Sequence, residues 1–238
     1  MDNPSYTTLT RQSGLMREMQ VLANNIANLS TTGFRREGVL FSEFVRQLDR
    51  HEAPLSMAAA NARQTYLTQG ALTMTGGQLD LAIEGDGFFL IETPDGERLT
   101  RAGHFSTNAA GEMVTPDGHR LLDIGGAPVF VPAEAGQVSI ARDGTVSADG
   151  QPLGQIGLMR PEDPAQLSRS TGVLHAADGP LVPVTDAAVM QGFLEDSNVN
   201  PISEMARMIQ VQRAYESGQK FLDREDERIR NVVQTLSR

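Results

Sequence analysis

His51, His104, His119 and His175 are the residues that could most readily carry proton transfer or hold a metal, and they are dispersed along the 238-residue chain. None belongs to an HExxH-type pair, which sets two ligands on one helix face with a glutamate base between them, and none sits beside a plausible nucleophile. They read as surface or loop histidines. Glu84 with Asp86, or Glu162 with Asp163, could supply the two carboxylates of general acid–base work. Gly85-Asp86-Gly87 is more economically a hairpin turn. Six Asp-Gly dipeptides, at 86–87, 95–96, 117–118, 143–144, 149–150 and 178–179, invite a calcium reading. The twelve-residue EF-hand spacing and the glycine-rich nonapeptide repeat are both missing, so tight turns explain them better. Cysteine is absent, which removes disulfides, thiolate metal sites and thiol nucleophiles and leaves the redox compartment open. No residue is therefore assigned a catalytic, cofactor-binding or metal-binding role, and the chain does not read as an enzyme.

The elements that would position such residues are of two kinds. Leu15, Met19, Leu22, Ile26 and Leu29 are spaced four, three, four and three apart, the a/d rhythm of a helix that packs along a seam. Met208, Val211, Tyr215, Leu222, Ile229, Val232 and Leu236 repeat that rhythm near the other end, with Gly218 and Glu225 at two seam positions. Asn3-Pro4 and Asn200-Pro201 open the two helices with the same signal, a capping side chain followed by a residue suited to the first helical position. The first helix is expected to run to about Leu29, before Ser30-Thr31-Thr32-Gly33, where Gly33 can take positive φ. Its apolar residues, including Met16, Ala23 and Ala27 but not Val21, spread over roughly 160° of surface at 100° per residue, too wide for one partner. Asn24, Asn25 and Asn28 line part of the remainder, where they could hydrogen-bond across helices.

Between these ends the pattern is β. Leu79, Leu81 and Ile83 alternate with polar or small residues, Phe88-Phe89-Leu90-Ile91 follows, and turn dipeptides and prolines punctuate the stretch to about Leu194. Charge divides the same way. The net −10 comes almost wholly from residues 51–195, which hold seven Arg against eighteen acids, while both ends are close to neutral. Such a body repels nucleic acid and anionic membrane. No stretch of eighteen consecutive apolar residues and no basic-then-apolar leader is present, so neither a membrane span nor a cleaved secretory signal is expected.

The fold class expected is α+β, with long terminal helices paired as an α-helical coiled coil around an inserted, mainly antiparallel β body. Residues 1–33 and 197–238 form the helical domain and 34–78 a connector with a short helix around Phe41 to Arg50. Residues 79–196 form the β body, with an outer subdomain at about 128–190. Such ends suit an assembly component, their apolar arcs buried only among neighbours. The competing reading is a soluble β-rich binding or hydrolytic protein that its helices merely dimerise.

Several segments carry a resemblance. Ala23-Asn24-Asn25-Ile26-Ala27-Asn28 followed by Thr31-Thr32-Gly33-Phe34 resembles the N-terminal signature of bacterial flagellar axial proteins, the rod and hook family. Asp80 through Phe89, Thr100-Arg101-Ala102-Gly103, and Ser197-Asn198-Val199-Asn200-Pro201 leading to Gln212-Arg213-Ala214-Tyr215-Glu216 are similar to further family motifs, in family order. The resemblance implies a structural subunit of the basal-body rod, without cofactor, assembling helically with copies of itself and other rod proteins into the drive shaft. It implies terminal helices facing the axial channel, β domains outside, neighbouring ring or bushing proteins, a periplasmic setting, and export without signal cleavage through the flagellar type III apparatus. Length and the opening Met1-Asp2-Asn3, Tyr6, Leu9 and Arg11-Gln12 are most similar to a proximal rod member, with a distal one as the alternative. The assembly interface is expected at Leu15, Met19, Leu22, Asn25, Ile26, Asn28 and Leu29, and at Met208, Val211, Tyr215, Leu222, Ile229, Val232 and Leu236. Gly33, Gly85, Asp86, Gly87, Asn200 and Pro201 have structural parts in turns and helix starts.

Overall fold

A computed structural model of the chain describes residues 3–46, 55–132 and 134–236. Two compact units emerge, a helix unit of Met1–Ala27, Glu37–Gln64 and Asn200–Arg238, and a β unit of Asn28–Arg36 and Thr65–Val199.

The helix unit holds α1 (Asn3–Ala27), the paired strands β1 (Glu37–Arg46) and β2 (Leu55–Thr65), and α2 (Pro201–Leu236). Helix α1 stops at Ala27, two residues before the expected end. Thr31 N donates to Asn28 O at 3.2 Å and Thr31 Oγ1 to Asn28 Oδ1 at 3.0 Å, so local bonds give the backbone a turn in place of another helical residue. Residues 41–46, expected as the start of a short helix, are strand, and residues 47–50 of that segment lie outside the described residues. The β-branched and aromatic content of Val39, Phe41, Phe44 and Val45 favours the pleated conformation that pairing with β2 then secures. At its start α2 is capped by Asn200, whose Oδ1 accepts from Ile202 N at 3.0 Å and Ser203 N at 3.1 Å. Its 36 residues make it about 54 Å long. No helix among the described residues is long and apolar enough to cross a membrane.

The buried face of α1 differs from the arc the apolar residues draw. Val21 is buried at 4% exposure, as is Leu22, whereas Met16 is 44% exposed and Ala23 and Ala27 also face solvent. Helix α1 packs against both α2 and β1, and polar Gln12, Glu18 and Asn25 share its buried side. Two neighbours on adjacent sides rotate the buried surface away from the one a single apolar stripe defines.

The β unit runs through β3 (Leu72–Met74), β4 (Leu81–Glu84), β5 (Phe88–Thr93), β6 (Gly96–Thr100), β7 (Ser106–Thr107), β8 (Met113–Val114) and β9 (Arg120–Leu121). It continues with β10 (Val138–Ile140), β11 (Thr145–Ala148), β12 (Gln151–Gln155), β13 (Leu158–Pro161), β14 (Leu167–Arg169), β15 (Leu174–Ala177), β16 (Leu181–Pro183), β17 (Ala188–Gln191) and β18 (Phe193–Glu195). The largest sheet is ordered β14-β15-β6-β5-β9-β8-β7, with β13 and β16 joined beside β5. All the registered pairs in this unit are antiparallel. Strand β5 is buried on both faces, with Phe89 and Ile91 in the main core and Phe88 and Leu90 in a second cluster with Leu99, Leu122 and Leu167. That double burial explains why its sequence is continuously apolar instead of alternating. Within residues 128–190, β13, β15 and β17 pair with β5, β6 and β4 respectively.

Four of the six Asp-Gly dipeptides close hairpins, between β5 and β6, β8 and β9, β10 and β11, and β11 and β12. Gly85-Asp86-Gly87 does not, which corrects the hairpin reading. Strand β4 pairs with β17 and β5 with β6, β9 and β13, so the bend carries the chain from one sheet into another. Both its glycines have left-handed φ, 103° and 108°, which makes an abrupt change of direction possible.

Candidate assembly interface and a buried ion-pair junction

The helix pair brings some of the expected interface residues together and leaves others open. On α1, Leu22 is buried and Leu15, Met19 and Ile26 are half-buried; on α2, Val211 is buried and Met208, Tyr215 and Leu222 are half-buried. The helices run antiparallel, since Asn25 Nδ2 donates to Glu204 Oε2 at 3.0 Å, Arg207 Nη2 meets Glu18 Oε1 at 2.7 Å and Gln12 Nε2 donates to Tyr215 O at 2.9 Å. Asn25 also exchanges two bonds with Glu37 of β1, N–H to Oδ1 at 3.0 Å and Nδ2 to O at 2.8 Å. Gly218 lies where a Cβ would come within 2.7 Å of the Gln12 amide, so the missing side chain permits the close approach. Glu225 instead pairs along its own helix with Arg228 at 2.6 Å, as Asp226 does with Arg230. Asn28 and Leu29 fall beyond the end of α1 and belong to the β unit. Ile229 and Val232 are 52% exposed and Leu236 83%. Extrapolated from the Gln12 contact, the first residue of α1 lies opposite about residue 224 of α2, so the last turns of α2 extend past it.

The β unit holds a centre that periodicity did not reveal. Arg35, Arg101 and Glu195 are buried at 1%, 3% and 1% exposure. Glu195 Oε1 meets Arg35 Nη2 at 3.0 Å and its Oε2 meets Arg101 Nη1 at 3.0 Å, so one carboxylate is shared by two guanidinium groups. Its Oε1 accepts also from Gly70 N at 2.9 Å, and Glu195 O accepts from Gly33 N at 2.7 Å. Arg101 donates to Ile83 O at 3.2 Å and to Gly85 O at 2.6 Å, while Arg35 Nη1 donates to Thr68 O. Asn198 closes the ring: its Oδ1 accepts from Arg36 N at 2.6 Å and its Nδ2 donates to Tyr66 O at 3.0 Å and Thr68 O at 2.7 Å. The four signature segments, scattered from Thr31 to Asn198, thus meet around one glutamate.

Two glycines make that meeting possible. A Cβ on Gly33, whose φ is 67°, would lie 2.3 Å from Ala102 N and Arg101 C, and one on Gly103 would lie 1.6 Å from Leu81 O. Burial pushes the Arg35 guanidinium down to about 10, with Glu195 working against that and Arg101 adding to it. Arg101 is likewise lowered by burial and supported by Glu195. The signal that could have found this centre was the presence of Arg101 and Glu195 at the ends of short strands, after Leu99-Thr100 and Phe193-Leu194, since charged residues enter cores only when paired.

The remaining candidates have structural occupations. His104 Nδ1 lies 2.6 Å from Asp80 Oδ1 and is exposed; His51 lies outside the described residues. His175 is fully buried against the Phe88 ring, 5.7 Å between centroids, and neither ring nitrogen has a partner among the described residues. Burial first, then the charges of Arg169 and Arg35, pushes it down to about 3. Glu84 pairs with Arg142 at 2.8 Å, and Asp163 caps a short 3-10 turn by accepting from Ala165 N at 2.9 Å. No group of three or more metal-ligating side chains occurs among the described residues.

Three family models match in chain order: flagella basal body rod protein over residues 6–35, the flagellar hook protein FlgE/F/G D1 domain over 82–148, and the flagellar basal body rod FlgEFG protein C-terminal region over 190–235. They take in Arg35, Arg101 and Glu195, one residue each. The flagellar basal-body rod protein FlgF of Caulobacter vibrioides is 40% identical over 100% of this chain and 99% of its own length. FlgF of Mesorhizobium japonicum is 38% identical over 91% of this chain and 90% of its own, and FlgG of Bacillus subtilis 33% identical over 96% and 97%. With identity at this level along the whole length, and with the shared segments converging on one buried junction, the chain belongs to the flagellar basal-body rod protein family and is most like its FlgF members.

Proposed function

We propose that this structural rod subunit, which is not an enzyme, is held in the basal body by apolar helix surface that it leaves uncovered itself. The supporting observation is the end of α2, where Ile229, Val232, Val233 and Leu236 are each at least half exposed and extend past the start of α1. A second open line, Ile202, Met205 and Ile209, runs along the first half of α2, and Leu9 and Met16 stand open on α1. Exposed apolar residues repeating at helical spacing favour burial against other helices. In this reading, residues 1–33 and 197–238 pack as coiled coils with copies of this chain and other rod proteins and enclose the export channel. Residues 79–196 form the β body, and Asn28, Leu29 and the a/d residues of both helices take part in the interface. Closer likeness to FlgF relatives supports the proximal rod, and FlgG-like placement in the distal rod is the alternative. Ring or bushing proteins, a periplasmic setting and uncleaved export by the type III apparatus complete the reading.

Replacing Ile229 and Val232 with Asp tests it. Both side chains are exposed in the single chain, so its stability should change by no more than about 0.5 kcal/mol each, while incorporation into basal bodies and swimming are lost. Wild-type incorporation of the double variant would overturn the proposal.

A further inference from the structure

A cavity of about 90 Å³ opens beside the buried junction, lined by Arg35, Arg101 and Arg160 together with Asp86, Gly87 and Phe88. Its charge does not close. Glu195 neutralises one of the two buried guanidinium groups, Arg160 is exposed and without an ion-pair partner among the described residues, and Asp86 supplies the one carboxylate in the lining. Three cations face two anions. Arg35 Nε and Arg101 Nε are buried and have no hydrogen-bond partner among the described residues, although a guanidinium offers five N–H donors and a buried one left unsatisfied is costly. The excess is the more conspicuous because the surrounding stretch, residues 51–195, carries eleven more acids than bases.

We propose that this cavity is an oxyanion site that takes a single carboxylate or phosphate group. Its volume corresponds to about three waters, at about 30 Å³ each, which suits one such group and is well below the roughly 300 Å³ at which pockets for larger ligands begin. Planar guanidinium groups are the side chains best matched to a carboxylate, and the desolvated setting strengthens the bond. The group has two sources with the same chemistry, a free anion or an Asp or Glu from the acidic surface of a second rod subunit. The site belongs to the β unit alone and does not depend on the helix surfaces argued above.

The test is titration of the full-length chain with sodium acetate and, separately, sodium phosphate at ionic strength held constant with chloride, following amide resonances of Gly87 and Phe88. Saturable shifts are expected, with Arg160→Gln weakening binding about tenfold and Asp86→Asn strengthening it severalfold, since each changes the charge at the cavity by one unit. Both residues are exposed, so both variants should keep the wild-type fold, checked by circular dichroism. Absence of a saturable shift with either anion overturns the site, as does a shift that Arg160→Gln leaves unchanged. Incorporation of Arg160→Gln into basal bodies separates the sources: normal rods assign the site to a free anion, and failed rods assign it to a neighbour's carboxylate.

Discussion

Glu195 is the residue on which the β unit turns, because two buried arginines and two backbone amides depend on it. Breaking such a network by removing one member costs about 3–5 kcal/mol, since it strands a charge where water cannot reach. His175 presents the opposite case, a buried polar group whose ring nitrogens have no hydrogen-bond partner among the described residues. Its unfolded value of 6.5 falls to about 3 in the fold, so between these values the unfolded chain binds a proton that the folded chain does not. Stability is therefore full above pH 6.5 and declines as the pH falls, by about 1.4 kcal/mol per pH unit from this group. Urea unfolding at pH 7, 6 and 5 should show a decline that is shallow from pH 7 to 6 and steepens toward that slope from pH 6 to 5, and His175→Leu should remove it without loss of stability at pH 7. A variant that kept the wild-type slope would show that another group governs the acid limb.

At the scale of elements, the glycines divide into those that serve a turn and those that let two segments touch. Gly150 turns β11 into β12 with φ of 81° and open space around its missing Cβ, so Gly150→Ala should cost only the left-handed strain, about 1–2 kcal/mol. Gly33 has φ of 67° and meets the Arg101–Ala102 backbone as well, so Gly33→Ala should cost clearly more, about 3 kcal/mol or above. Denaturant midpoints of the two variants measure the difference, and equal losses would mean that Gly33 matters for φ alone. The Gly85-Asp86-Gly87 bend teaches a related lesson. Residue types announced a sharp turn correctly, but whether the flanking strands pair is decided by distant partners, here β17 on one side and β6, β9 and β13 on the other.

For the whole molecule, the two apolar core clusters among the described residues belong to the β unit, whereas the helix unit buries Val21, Leu22 and Val211, and burial declines along α2. Val211 is 2% exposed and Leu222 half-buried, while residues 226–236 are exposed throughout. Amide exchange on the monomer should follow that gradient, with protection around Leu22 and Val211 and rapid exchange beyond about residue 226. Uniform protection to the end of α2 would mean that the single chain already covers its apolar tail, leaving assembly nothing to bury.

The amino-acid sequence by itself determined the two long helices, the Asn200 cap that opens α2, the β character between them, the family, and the absence of catalytic spacing. Those are local properties: periodicity, turn chemistry and contiguous motifs are carried by neighbours along the chain. Only the tertiary structure decided that Val21 turns inward and Met16 outward, that residues 41–46 are strand, and that Asn25 joins α2 to β1. It alone brought Arg35 and Arg101, 66 positions apart, each to 3.0 Å from a carboxylate oxygen of Glu195, a further 94 positions along. Such a meeting has no period to read, because it depends on which strands pair across the whole unit and on glycines that let their backbones approach.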